Sequence, residues 1–365
     1  MFFNQIMIWV IAVGVVLGAG DRILGNKFGL GDQFEEGFNA MGPLALGMVG
    51  IMSIVPIIAE FLGPIIIPIF NIVGADPAMF GAVLANDMGG YPLAMELAQN
   101  HQMGLFSGLI VASMLGATIV FYIPVGLGMI EYKDRPFYAK GLLIGLISIP
   151  IGSVAGGMIA GFNLILVLIN IVPIVILSAL LALGLAYIPS AMIKGALLFG
   201  KMIIIIGTIG LAFASFNFLT GTSTIDGIEP IMNSLKIVTQ IGVVLLGIFP
   251  IVYLIINIFE KWIEIMGRKI GINKSSAAGL VVALANPIPV FKSMKNMDER
   301  GKVINTAFLV PACAALGDHL GFTAAVNKDM ITAVVFAKII AGIIAVVIAT
   351  CVTRDLAFKF DKVNE

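Results

Sequence analysis

The chain has 365 residues, 59% of them hydrophobic and 12% charged, with 21 Lys and Arg balanced by 21 Asp and Glu. A mean hydropathy of +1.08 lies far outside the soluble range, and no basic run offers a footing for nucleic acid. Soluble enzymes and nucleic-acid binders are excluded, leaving an all-α polytopic membrane protein in the lipid bilayer, because a helix satisfies its own backbone there. Cys313 and Cys351 both fall in apolar runs, so neither a disulfide framework nor a metal cluster is expected. The sequence has no phosphate-cradling Gly-rich loop with a lysine, no His-Glu-x-x-His and no Gly-x-Ser-x-Gly elbow, and calls for no enzyme and no cofactor.

A helix needs about 20 apolar residues to cross the hydrocarbon core. That length places nine spans near 3–20, 41–59, 104–124, 140–162, 164–188, 196–218, 237–259, 303–323 and 330–352. The opening Met1-Phe2-Phe3-Asn4-Gln5 carries no positive leader region, so the first run reads as a retained span. Segments 60–103 and 260–302 are left over, and each holds a break. In the first, Asn86-Asp87-Met88-Gly89-Gly90-Tyr91-Pro92 interrupts an apolar run. In the second, Leu284-Ala285-Asn286-Pro287 interrupts another, flanked by Lys261, Arg268, Lys269 and Lys274 before it and Lys292, Lys295, Arg300 and Lys302 after it.

Lys and Arg accumulate on the cytoplasmic side of membrane proteins. If both segments dip in and return, eighteen of these residues share one side, the other side holds only Lys236 and Lys328, and Lys338 sits inside the last span. If both cross, the loop charges divide evenly. The expected arrangement is therefore nine helices plus two re-entrant broken segments, with the N-terminus outside and the C-terminus cytoplasmic. It makes the halves inverted repeats: residues 1–163 with re-entrant segment 60–103, a connecting helix at 164–190, residues 191–352 with re-entrant segment 260–302, and a cytoplasmic tail at 353–365. Echoes support the repeat, since Leu84, Ala85 and Asn86 recur as Leu284, Ala285 and Asn286, and Leu115, Gly116 and Phe121 as Leu316, Gly317 and Phe322. Gly141, Gly145, Gly152, Gly156, Gly157 and Gly161 line one helix as a packing face, either within a protomer or in a homo-oligomer.

Gly/Pro-interrupted segments in corresponding halves point to a transporter's substrate site near the midplane. Ionisable groups within spans are costly and face a cavity or a partner. Here these are Asp87, Asp318, His319 and Lys338. Asp87 follows a short helix whose C-terminal carbonyls favour a cation; alternatively Asn86 or Asp87 caps the next half-helix. Asn286 reads either as an amide lining the site or as the N-cap before Pro287. Asp318-His319 would lie roughly 8 Å, and Lys338 about 12 Å, from the outer boundary, close enough for an ion pair or a proton-handling group. Thr118, the echo of His319, is a further candidate. These residues suit a small, polar, cationic solute.

Four blocks carry a resemblance: Phe34-Glu35-Glu36-Gly37-Phe38, Asp87-Met88-Gly89-Gly90, Met297-Asp298-Glu299-Arg300-Gly301-Lys302-Val303-Ile304-Asn305 and Ala315-Leu316-Gly317-Asp318-His319-Leu320-Gly321-Phe322. They resemble the bacterial ethanolamine-utilisation permease family over nearly the whole chain. The resemblance implies an ethanolamine transporter in the bacterial cytoplasmic membrane that feeds catabolism, with Asp87, Asn286, Asp318 and His319 at shared positions. Other small metabolites, such as a nucleoside, choline or an amino acid, and a membrane scaffold or enzyme are the alternative readings.

Overall fold

The computed structural model describes residues 2–84 and 87–356, without the side chain of Asp87. Asn86 and residues 357–365 of the expected tail lie outside that range. The described residues form helices and turns with no strand. In chain order they are α1 (Phe2–Ile23), α2 (Leu30–Asn39), α3 (Met41–Ile72), α4 (Gly81–Leu84), α5 (Gly90–Leu97), α6 (His101–Leu105), α7 (Ile123–Met129), α8 (Arg135–Ile159), α9 (Leu164–Tyr187) and α10 (Pro189–Thr220). Then follow α11 (Ile231–Ile258), α12 (Glu260–Ile270), α13 (Lys274–Ala283), α14 (Pro287–Ser293), α15 (Glu299–Ala312), α16 (Asp318–Val326) and α17 (Ile331–Val352). Between α6 and α7 the chain is π-helical over Phe106–Gly116 and Thr118–Tyr122, so His101–Met129 runs as one membrane-length helix.

Eight helical stretches among the described residues are long and apolar enough to span a bilayer. Seven of them match expected spans closely: α1, the His101–Met129 helix, α8, α9, α10, α11 and α17. The eighth, Leu30–Ile72, joins α2 to α3 and begins well before the expected 41–59. The expected continuous span at 303–323 is corrected. It is α15 and α16, separated by non-helical residues 313–317. The cause is tertiary, because the Ala314 and Leu316 amides donate to the carbonyls of Ala283 (2.9 Å) and Leu284 (2.8 Å) at the end of α13. That pairing holds Ala314 at φ 56, a conformation that costs a residue with a Cβ.

Within 60–103 and 260–302 the chain folds back on itself as a hairpin, in each case over fewer residues than those bounds. The first is rooted on Asp76, whose carboxylate accepts from Ala78 N–H (2.9 Å) at its start and from Gln99 (3.3 Å) and Asn100 (2.8 Å) N–H at its end. Its arms pack so tightly that a Cβ on Gly81 would lie 2.6 Å from the Ala94 nitrogen. The second is rooted on Asp298, which accepts from Asn273 N–H (2.8 Å), Ser276 Oγ–H (2.7 Å) and Gly301 N–H (3.0 Å). In each case the first and last residues of the segment share one carboxylate, so the chain leaves where it entered. Residues 60–72 belong to α3 and 260–270 to α12, outside the hairpins.

The roots lie at opposite ends of α8. The Asp76 amide donates to the Asn170 side chain near the start of α9 (2.6 Å), and Phe106 reaches Gly157 near the end of α8. The Asp298 root adjoins Lys302, which pairs with Asp134 just before α8 begins (2.7 Å). Between them the α8 glycines admit α15 at Gly141 and Gly145 and α17 at Gly152 and Gly156, so this face serves packing within the chain.

Asp298 leads to a stability prediction. Asp298→Ala orphans two backbone N–H groups and a hydroxyl at once, which costs about 1–3 kcal/mol. Thermal unfolding in detergent should move down, and hydrogen exchange should rise across 273–298 before the rest of the chain. Unchanged exchange there would remove Asp298 from the root.

Candidate functional site

The tips of both hairpins and the break between α15 and α16 converge on a cavity of about 460 Å³. Met88 comes from the first hairpin, Ala285 to Ile288 from the second, and Ala314, Asp318 and His319 from the break. Phe121 and Tyr122 at the end of the π-helical stretch, with Leu245 and Phe249 of α11, supply apolar wall. Pro43, Leu44 and Met48 of α3 add to it, and Glu36 and Asn39 of α2, both exposed, lie on its open side.

Asn286 is an N-cap and also borders the cavity. Its side-chain oxygen accepts from Ile288 N–H (2.9 Å) as the N-cap of α14, with Pro287 at the first helical position. The same residue lines the cavity, and with its oxygen used, the amide NH₂ is the part left to offer a ligand. Asp318 opens α16, where its carboxylate accepts from the His319 amide (2.9 Å), and the residue borders the cavity. His319 is buried, and its Nδ1 meets the Cys313 carbonyl at 3.2 Å. A carbonyl only accepts, so that contact places the proton on Nδ1.

Lys338 is fully buried behind this wall and donates to the Ser113 carbonyl. Ser113 lines a small void together with Met88 and His319, which puts the Lys338 ammonium next to the site. Thr118 lies elsewhere. It is fully buried, its hydroxyl donates to the carbonyls of Met114 (2.7 Å) and Val310 (3.4 Å), and the cavity wall does not include it. Asp87 sits in the turn at the tip of the first hairpin, next to Met88, while Asn86 lies outside the described residues.

Glu36, Asn39 and Tyr122 were not anticipated as site residues. Residues 21–40 lie between the expected spans 3–20 and 41–59, with Arg22 and Lys27 counted on the cytoplasmic side, and so read as a loop. Instead α2 runs into the bundle. A Cβ on Gly37 would lie 2.6 Å from the backbone of Leu245, halfway along α11. Asp21 fastens the turn before α2 by accepting from the amides of Phe28, Leu30 and Gly31. The usable signal was the spacing Glu36-Gly37, a carboxylate beside a residue small enough for backbone contact.

Discontinuous helices meeting at a largely apolar cavity that holds a few polar side chains, from hairpins rooted at opposite ends of the bundle, define a membrane transport protein. Comparison with known families narrows this. The chain belongs to the ethanolamine utilisation protein EutH family, whose model it matches over residues 3–352. It is 50% identical over 360 residues to a protein of Listeria monocytogenes named "Probable ethanolamine permease EutH", covering 98% of this chain and 96% of that one. A protein of the same name from Escherichia coli is 44% identical over 388 residues, with 96% and 95% covered. The Bacillus subtilis "Uncharacterized protein YxeR" is 42% identical over 363 residues, with 99% and 98% covered. No solved structure matches the chain.

Proposed function

We propose that this protein carries ethanolamine across the bacterial cytoplasmic membrane, and that the cavity is its binding site. The observation that carries the proposal is the polar lining. It consists of Glu36, Asn39, Asn286, Asp318 and His319, with two carboxylates and no Lys or Arg among the described lining residues. Ethanolamine is a primary ammonium with a hydroxyl at its other end. Its ammonium needs an anionic acceptor, and its oxygen needs a donor. Asp318 takes the ammonium, and Asn286 donates its NH₂ to the hydroxyl oxygen. Asp87, next to Met88 in sequence, supplies a further carboxylate to the ammonium, and Asn86, the residue before it in sequence, is a further candidate. Lys338 balances this negative charge as an ion-pair partner for Asp318.

At ~30 Å³ per water molecule, the cavity has room for about fifteen waters, far more than ethanolamine requires. Tight, desolvated binding therefore requires the walls to close. Alternating access by two inverted halves fits this, with residues 1–163 and 191–352 as the repeats and the hairpins as their moving tips. The inverse placement of the Asp76 and Asp298 roots supports it. The charge distribution supports an N-terminus outside and a cytoplasmic C-terminus, with the open side of the cavity then toward the cytoplasm.

Labelled-ethanolamine uptake into proteoliposomes holding only this protein tests the proposal, with and without imposed proton and sodium gradients. Saturable uptake is expected, resistant to competition by choline, nucleosides and amino acids. Accumulation above equilibrium under a proton gradient would assign coupling to Asp318 and His319, and equilibration that ignores both gradients would make the protein a facilitator. Asp87→Asn should weaken uptake with the folded protein still present. Uptake no greater than in empty liposomes would overturn the reading.

A further inference from the structure

A second cavity of about 460 Å³ lies on the lipid-facing side of the bundle, between α1, α11 and α16. Its floor is apolar: Ile8, Ile11 and Val15 of α1 face Val243, Val244 and Ala325. Its polar lining is Lys328, Gln240 and Thr239. Lys236 lies one helical turn before Gln240 on α11 and is exposed, as is Lys328. Lys236 and Lys328 are the two lysines that the charge distribution leaves on the outer side. Of the two, Lys328 borders the slot.

The slot is held open by its walls. At one end the Asn4 side chain donates to the Asp329 carbonyl (3.1 Å) and accepts from the Thr332 amide (2.9 Å), pinning the start of α1 beside α17. At the other end Gly14 meets Gly247 so closely that a Cβ would strike the Gly247 carbonyl. Fastened twice, α1 leaves a gap against α16 that neither helix fills.

We propose that this slot is a binding site for one anionic phospholipid of the membrane. An acyl chain lies along Ile8, Ile11 and Val15, and the headgroup phosphate is held by the Lys328 ammonium and the Gln240 amide. The chemistry matches at both ends. The apolar length suits hydrocarbon, and a cation and an amide donor suit a phosphodiester. The carboxylate of Asp329, adjacent in sequence, forms no ion pair with Lys328 among the described residues. The site bears on transport through α16, which borders the slot at Ala324 and Ala325 and the substrate cavity at Asp318 and His319. A bound lipid braces that half-helix against α11.

Native mass spectrometry of the detergent-purified full chain is the test, after addition of phosphatidylglycerol or phosphatidylcholine with matched acyl chains. Wild type should retain a phosphatidylglycerol molecule through activation that strips phosphatidylcholine. Lys328→Gln should lose that preference, and Ala325→Trp, which fills the apolar end, should lose retention of both. Phosphatidylglycerol should also raise the unfolding temperature of wild type and not of Lys328→Gln, a readout that does not depend on the tryptophan variant folding. Equal retention of the two lipids by wild type would overturn the proposal. So would an unchanged preference in Lys328→Gln, or a second copy of the chain occupying the face in place of lipid.

Discussion

Asp318→Asn should abolish high-affinity ethanolamine uptake while leaving the folded protein in the membrane. The substitution is nearly isosteric, and an amide oxygen can still accept the His319 N–H that the carboxylate now accepts at 2.9 Å. The start of α16 is therefore kept, and what is lost is the negative charge bordering the cavity. A hydrogen bond to a charged group is worth about 1.5–3 kcal/mol, so KM should rise about ten- to a hundredfold. Glu36→Gln makes the comparison informative. Glu36 is exposed at the mouth, where solvent and salt screen its field, so it acts on the approach of the cation more than on its final position. Its loss should lower uptake modestly at low salt and hardly at all at high salt. Asp318→Asn should be defective at both. An unchanged KM in Asp318→Asn would take that carboxylate out of the binding site, and the ammonium would then have to be held by other groups at the hairpin tips.

The contrast between these two carboxylates also marks what could be read from the sequence. The hairpin tips were legible because their breaks are local. Asn286-Pro287 carries its own start signal, and the chain around Asp87 is interrupted by two glycines and a proline. The break before Asp318 is marked less plainly. Pro311 and Gly317 flank it, but the run from 303 to 323 is long enough to read as one span, and Ala314, not a glycine, takes the positive φ. What opens the helix there is backbone pairing with Ala283 and Leu284, about thirty residues upstream, which no window along the chain can report. The π-helical stretch is hidden for a similar reason, since its wider turns leave the hydropathy unchanged. Glu36 was hidden by an assumption. Residues 21–40 fall between two apolar runs and read as a loop, whereas α2 brings Glu36 and Asn39 to the cavity. The re-entrant segments were drawn too wide because α3 continues to Ile72 through Pro56, Pro64 and Pro68, and because α12 is a separate amphipathic helix.

The largest loss of stability should come from Asp134→Asn. Asp134 and Lys302 form an ion pair at 2.7 Å with side chains only 1% and 8% exposed, the Lys302 ammonium also lying over the Phe137 ring. The second Asp134 oxygen has no protein partner, so the lysine provides most of the compensation for burying the carboxylate. Breaking one side of such a pair leaves a buried charge unmatched and costs about 3–5 kcal/mol. The damage is local in a telling way, because Lys302 lies one turn after Asp298 and Asp134 lies just before α8. Loosening them frees the root of the second hairpin, and with it Asn286. Asp134→Asn should therefore lower both the unfolding temperature and the uptake rate, and Lys302→Met should do the same. The double variant Asp134→Leu/Lys302→Met separates the two meanings of the pair. With neither charge buried, its unfolding temperature should return most of the way to wild type, since apolar replacement of a buried pair is often neutral or better. If uptake returns as well, the pair serves only to hold α15 against α8. If stability returns and uptake does not, the pair has to open and close as the hairpin moves. Full stability in either single variant would mean that the charges are solvated, and the hairpin root would then rest on Asp298 alone.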